Sequence, residues 1–216
     1  MKTQREYWNS ESESFQKIYS HDKSALSNLI DRIFRADMYG RFEYAMGKIR
    51  PLEGKTVLDV GCGSGKYSVE AARHGALRVV GLDISENMVR LSRRNARENG
   101  VDDRCSFIHS SLDAYVGAEK FDACIGMGLF DYVKEPLPLL KKMRDATGDV
   151  VVLSFPRLMT WRAPIRKTRL MLGGCEVYFY SRSRVDSLMA ESGFPSHEVK
   201  KIGNLYCVTG YCRRSE

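Results

Sequence analysis

Val57-Leu58-Asp59-Val60-Gly61-Cys62-Gly63-Ser64-Gly65 decides the fold of this chain. An apolar, β-branched run from Thr56 to Val60 reads as a parallel strand buried on both faces. Three alternating glycines follow at once, so the chain turns sharply at the carboxyl end of that strand. Glycine tolerates positive φ and leaves room for a ligand to approach the backbone. The spacing predicts a helix from about Gly65 to His74, its first N–H groups facing the crevice. A second strand, Arg78 to Asp83, ends in an acid 18 residues after Gly65.

Nicotinamide and flavin proteins place G-x-G-x-x-G at the same turn. Here the spacing is G-x-G-x-G, and Asp59 stands two residues before the first glycine. A carboxylate there repels a diphosphate and attracts an ammonium or a sulfonium. Asp83 can accept both hydroxyls of a ribose. A nucleoside with a cationic tail fits that pair of acids, and S-adenosylmethionine is the cofactor expected.

Outward from this motif, strand and helix alternate. Strands are expected at 55–60, 78–83, 105–109, 121–126 and 149–155, and helices at 65–74, 86–99, 136–146 and 181–192. Two extended runs between Glu198 and Arg213, joined at Gly203-Asn204, form a hairpin signal. Such alternation predicts an α/β domain, a Rossmann-like, mostly parallel sheet with helices on both faces. Residues 1–50 read as an N-terminal helical lid. It has apolar faces at Phe15, Ile18 and Tyr19 and at Leu26 to Phe34, then a helix from Tyr39 to Ile49 stopped by Pro51 and Gly54. Residues 51–216 read as the cofactor-binding domain.

The stretch 156–180 interrupts the alternation at the edge where ligands bind. Between Pro156 and Arg184 there are seven basic residues against Glu176 alone, interleaved with Trp161, Tyr178 and Tyr180. We read it as a substrate-covering insertion. Arg162, Arg166, Arg169 and Tyr178 are the candidate acceptor-binding residues, since arginine forks suit carboxylate or phosphate. A solvated basic face is the alternative.

The 216 residues suffice for one such domain, and the net charge of +7 comes from 34 basic and 27 acidic residues. The apolar runs fall short of the ~20 residues that span a membrane. The first residues contain no apolar core of a secretory signal, so a cytoplasmic location is expected. Six cysteines are scattered without C-x-x-C spacing, among only four histidines, so no metal site is expected.

The arrangement from Val57 to Ser154 resembles the class I S-adenosylmethionine-dependent methyltransferases. That resemblance implies a seven-stranded sheet whose last strand is antiparallel. It also implies that Asp59, Gly61, Cys62, Gly63 and Gly65 meet the methionine tail and that Asp83 holds the ribose. Ile84 would pack on adenine, Ser111 and Leu112 would flank it, and Met127 would complete the set. Many relatives carry an acid where Ser111 stands. Glu6-Tyr7-Trp8-Asn9-Ser10 and Phe15-Gln16-Lys17-Ile18-Tyr19-Ser20 are similar to the amino-terminal segment of the magnesium-protoporphyrin IX methyltransferases. In Gly128-Leu129-Phe130-Asp131-Tyr132, an aspartate replaces the histidine usual in that family.

The expected activity is methyl transfer to a small, anionic molecule, at oxygen rather than nitrogen. Tyr19 and Asp131 are the candidate general bases. His109, at the end of the third strand, falls near adenine rather than the acceptor. A tetrapyrrole O-methyltransferase and an RNA methyltransferase are the alternatives. Nucleic acid is the less favoured partner, because the Asn/Asp-Pro-Pro-aromatic run of base-amine methyltransferases is missing after the fourth strand. The oligomeric state is not legible.

Overall fold

The computed structural model describes Glu6 and residues 25–115, 117, 120–158 and 176–213, with side chains in the first helix from Asp37 onward. Tyr19, Trp161, Arg162, Arg166 and Arg169 lie outside the described residues. Twelve described elements follow one another: α1 (Ala25–Ile49), β1 (Thr56–Val60), α2 (Lys66–Arg73), β2 (Arg78–Asp83), α3 (Glu86–Glu98), β3 (Cys105–His109), β4 (Phe121–Gly126), α4 (Pro136–Asp145), β5 (Thr147–Pro156), α5 (Arg182–Glu191), β6 (Ser196–Ile202) and β7 (Leu205–Tyr211).

The strands form one seven-stranded sheet in the order β3-β2-β1-β4-β5-β7-β6. Strands β1 to β5 pair in parallel, whereas β7 runs antiparallel to both β5 and β6. Strand order reverses between β1 and β4, the place where open α/β sheets bind ligands.

Pleating sends alternate residues of β1 to opposite faces. Val57 joins a core cluster with α1, α2 and α3, while Leu58 and Val60 join a second cluster with α4 and α5. The sheet is thus covered on both sides. Side chains are buried at Leu58, Ile125, Val152 and Leu153 without measurable exposure.

The helices begin where their sequences allow it. Ser85 caps α3, its hydroxyl accepting from the Met88 amide at 3.3 Å. Ser181 caps α5 in the same way through the Arg184 amide at 3.2 Å. Pro136 occupies the first turn of α4, where no amide donor is needed.

The amino-terminal region departs from the expected pattern. The second and third expected helices are one continuous helix of 25 residues. Arg35-Ala36-Asp37-Met38 contains neither proline nor glycine, so nothing breaks the helix between them. Its carboxyl-terminal half belongs to the core, with Ala45, Met46 and Ile49 almost fully buried. The Tyr44 hydroxyl meets Thr209 Oγ1 of β7 at 2.7 Å, and Asn204 Nδ2 donates to Asp37 at 2.8 Å. Gly40 lies against the β6–β7 turn, where a Cβ would stand 2.7 Å from Ile202.

Candidate functional site

The glycine turn is built by backbone hydrogen bonds. The amides of Gly61 and Cys62 both donate to the Leu82 carbonyl, at 2.8 and 3.0 Å, and Gly65 donates back to Cys62 at 2.9 Å. Gly61, Gly63 and Gly65 all adopt positive φ. Their surroundings differ. A Cβ on Gly65 would press on Ser92 and the Phe107 ring, whereas a Cβ on Gly63 would meet nothing within 4 Å. Gly65 lets the turn pack onto α3 and β3; Gly63 leaves the loop open toward the crevice. Gly65 precedes α2 and supplies no side-chain cap to its first amides.

Asp83 ties the two halves of this end together. Its carboxylate accepts from the Gly63 amide at 2.9 Å and from the Ser85 amide at 2.8 Å. Burial raises its pKa above the usual carboxylate value, against the lowering effect of those two bonds. Asp59 points to the α2 face of β1, where Ser68 Oγ donates to it at 2.6 Å. Only 2% of Asp59 is exposed, and burial, helped by the neighbouring Asp83, pushes its carboxyl up to about 7. The same burial raises the Cys62 thiol far above its ordinary value. Two reluctant carboxyls, Asp83 on the crevice wall and Asp59 behind the glycine loop, form a site short of positive charge. An incoming cation relieves that shortage.

A cavity of about 630 Å³ opens at this end of the sheet, within the range of small-molecule and cofactor sites. Of the residues singled out from the sequence, Gly61, Gly63, Asp83, Ile84, Ser111, Leu112, Met127 and Asp131 line it. Asp59, Cys62 and Gly65 stand behind the loop rather than on the wall. His109 turns its ring to the Ile84 carbonyl at 3.0 Å. Tyr178 is also off the wall: its hydroxyl donates to Glu176 at 2.6 Å, and only its backbone reaches the site, donating to the Asp131 carbonyl at 2.9 Å.

The far wall comes from the loop after β4. Gly128 is fixed there by its amide, which donates to Ser154 Oγ of β5 at 2.7 Å. Asp131 is 4% exposed and lines the cavity with Tyr132 and Val133. Arg41 of α1 also lines the cavity, and a Cβ on Gly128 would stand 3.0 Å from its guanidinium. Arg41 escaped the sequence reading because it sits in a helix with ordinary charge patterning, and its nearness to Gly128 is a tertiary contact. Apolar Val60, Leu82, Met88, Leu112, Met127 and Leu129 also line it, with the exposed Lys134 and Glu135 at the rim. Among the described residues, no group of three or more His, Cys, Asp or Glu is placed to hold a metal ion. The described residues likewise contain no helix long and apolar enough to cross a membrane.

These residues suit S-adenosylmethionine on structural grounds. The open face of Gly63 admits a ligand against the backbone, and the Asp83 carboxyl on the wall, with Asp59 behind it, favours a cation.

Comparisons with known proteins point the same way. A family model described as a methyltransferase domain matches residues 57–149. The ubiquinone biosynthesis O-methyltransferase of Ruegeria pomeroyi is 35% identical over 107 residues, covering 49% of this chain and 42% of that protein. The ribosomal protein L11 methyltransferase of Pectobacterium carotovorum is 36% identical over 98 residues, 45% of this chain and 32% of its own. The chain thus spans half or less of the length of these curated relatives. Among solved structures, the magnesium protoporphyrin IX methyltransferase of Synechocystis PCC 6803 with bound S-adenosylhomocysteine superposes with a TM-score of 0.77. It is 20% identical, and the match covers 96% of this chain and 97% of that one. At such identity the likeness concerns the fold. Strand order, glycine turn and family model converge: the chain carries a class I S-adenosylmethionine-dependent methyltransferase domain.

Proposed function

We propose that this protein methylates a hydroxyl oxygen of a small, anionic molecule, with S-adenosylmethionine as methyl donor. The single observation that carries the reading is the continuity of the cavity. It joins the glycine turn and Asp83 to Asp131, a buried acid in the loop after β4. The names of the ubiquinone biosynthesis relatives, which specify O-methyl transfer, support oxygen over nitrogen.

When bound, S-adenosylmethionine supplies an activated methyl group on a sulfonium. The chain's residues then have five tasks. Gly61, Gly63, Asp83 and Ile84 hold the cofactor end. Leu112, Met127 and Leu129 keep water from the reacting atoms. The loop after β4 places the acceptor near 3–3.5 Å from the methyl carbon, an orientation effect of about 7–11 kcal/mol. A carboxylate oxygen of Asp131 takes the proton of the acceptor hydroxyl, a step contributing roughly 10²–10⁴-fold. A buried carboxylate beside a carboxylate acceptor would repel it, so Asp131 favours a hydroxyl. Arg41 and Lys134 are the cationic groups on the described wall that can meet the acceptor's negative charge. Tyr19, Arg162, Arg166 and Arg169 remain part of this proposal as lid and insertion residues.

The tetrapyrrole reading is the second one, favoured by the amino-terminal likeness and by a structural match that covers both chains almost end to end. One experiment separates the two. The protein is incubated with methyl-labelled S-adenosylmethionine and a metabolite extract, and the product is treated with mild base. Label in a base-stable small-molecule ether is expected. Base-labile label would mean a carboxylate ester and overturn the hydroxyl assignment. Label retained on RNA or protein would overturn the small-molecule acceptor. Asp131→Asn should lower the transfer rate by the general-base factor and leave S-adenosylhomocysteine affinity within twofold.

A further inference from the structure

The chain leaves β5 at Pro156 and comes back beside it at Glu176 to Tyr180, and this returning stretch braces the site from behind. The Tyr178 amide donates to the carbonyl of Asp131 at 2.9 Å. The Tyr180 hydroxyl lies 3.1 Å from the carbonyl of Phe130 and 3.3 Å from that of Val133, its one proton shared between them. Three carbonyls of the four-residue run Phe130–Val133 are therefore held by two residues of one short segment. That run belongs to no strand or helix, so its buried carbonyls need donors from elsewhere.

The brace is itself anchored. Tyr180 donates its amide to the Pro156 carbonyl at 2.8 Å and accepts from the Leu158 amide at 3.0 Å. Its ring meets Phe155 edge-on at 5.0 Å, and Phe155 stacks on Phe130 at 4.7 Å. Phe130 and Phe155 have no exposed surface. The three rings fix the phenol relative to the end of β5, and the phenol in turn fixes the loop. Burial, reinforced by the nearby charge of Asp131, holds the Tyr180 hydroxyl well above its ordinary pKa, with Arg184 opposing and Tyr178 adding slightly. It therefore stays protonated, and a donor, across the physiological range.

We infer that Tyr180 is a positioning residue: its hydroxyl sets the loop that aims the Asp131 carboxylate at the acceptor. This rests on the role given to Asp131 above. Tyr180 does not line the cavity, so it acts through the loop and not on substrate. The cofactor end, set by Gly63, Asp83 and Ser85, shares none of these hydrogen bonds.

Tyr180→Phe keeps the ring contact with Phe155 and deletes the donor. Three measurements test it on the full chain. By hydrogen exchange, the amides of Tyr178 and Tyr132 should exchange at least tenfold faster, with those of Gly63 and Ser85 unchanged. By calorimetry, S-adenosylhomocysteine affinity should stay within twofold. In label transfer from methyl-labelled S-adenosylmethionine to serial dilutions of a metabolite extract, the saturating rate should drop tenfold or more. The dilution giving half that rate should move less than twofold. Replacing Tyr180 with 4-aminophenylalanine, which restores an N–H donor at the same place, should recover the rate and serves equally if the Phe variant does not fold. Unchanged exchange at Tyr178 and Tyr132 overturns the brace. Faster exchange with an unchanged saturating rate, or no rescue by the amine, reduces Tyr180 to a structural anchor and overturns the positioning role. Absence of transfer by the wild-type protein refutes the proposed function and the positioning role with it, while the exchange result still decides whether the brace exists.

Discussion

Gly63 and Gly65 are two residues apart in one turn, both with positive φ, yet alanine should act on them in different ways. Both substitutions place a Cβ in the left-handed region, at a cost of about 1–2 kcal/mol. At Gly63 the new methyl enters open space. The stability loss should therefore end there, a fall in Tm of about 2–8 °C for a domain of this size. At Gly65 the methyl would stand 2.8 Å from Ser92 Cβ and 3.1 Å from the Phe107 ring. Both neighbours are buried and cannot retreat. Overpacking adds about 1–3 kcal/mol, so the total is about 2–5 kcal/mol. Ligand binding should rank the pair in the opposite sense relative to stability. The open space at Gly63 is where the cofactor approaches the backbone, so Gly63→Ala should weaken S-adenosylhomocysteine at least about tenfold, or 1.4 kcal/mol. Urea unfolding and isothermal calorimetry on both variants supply the numbers. Wild-type affinity in Gly63→Ala would refute the placement of the cofactor at this loop. Wild-type stability in Gly65→Ala would refute the packing argument.

Two further outcomes follow from the acids. Asp83→Ala removes the acceptor for the Gly63 and Ser85 amides, each charge-assisted bond being worth about 1.5–3 kcal/mol; S-adenosylhomocysteine binding should become undetectable by calorimetry, and unchanged binding would remove Asp83 from the site. Asp59 carries its proton in the folded protein up to about pH 7, against an ordinary value of 3.8. The folded state therefore holds a proton that the unfolded state has released, and stability of the ligand-free protein should fall as pH rises from about 4 through 7. At roughly 1.4 kcal/mol per unit, the loss is on the order of 4 kcal/mol at most. Asp59→Asn, whose amide oxygen can still accept from Ser68, should flatten that slope and be more stable than wild type at pH 8. Parallel urea midpoints for the two proteins between pH 4 and 8 would contradict the assignment.

Much of the fold is legible in local chemistry. The strand from Thr56 to Val60, the turn at Gly61 to Gly65 and the acid at Asp83 are encoded within 28 consecutive residues, and a buried parallel strand followed by a glycine turn has few other structural solutions. The helices were legible where caps were local, as at Ser85 and Ser181. The amino-terminal helix was harder, because its continuity depends on the absence of a breaker between Phe34 and Tyr39.

What the sequence determined by itself is the parallel sheet, the glycine turn after its first strand and the cofactor class, since pleat period, backbone freedom and charge act over a few neighbouring residues. Only the tertiary structure decided which acids face the crevice and which stand behind it: the pleat of β1 turns Asp59 to Ser68, while the end of β2 leaves Asp83 at the cavity wall. It alone brought Arg41 against Gly128 and Tyr180 against Phe130, pairs separated by 87 and 50 residues. Such contacts arise when distant segments are packed against one sheet, and no spacing within either segment announces them.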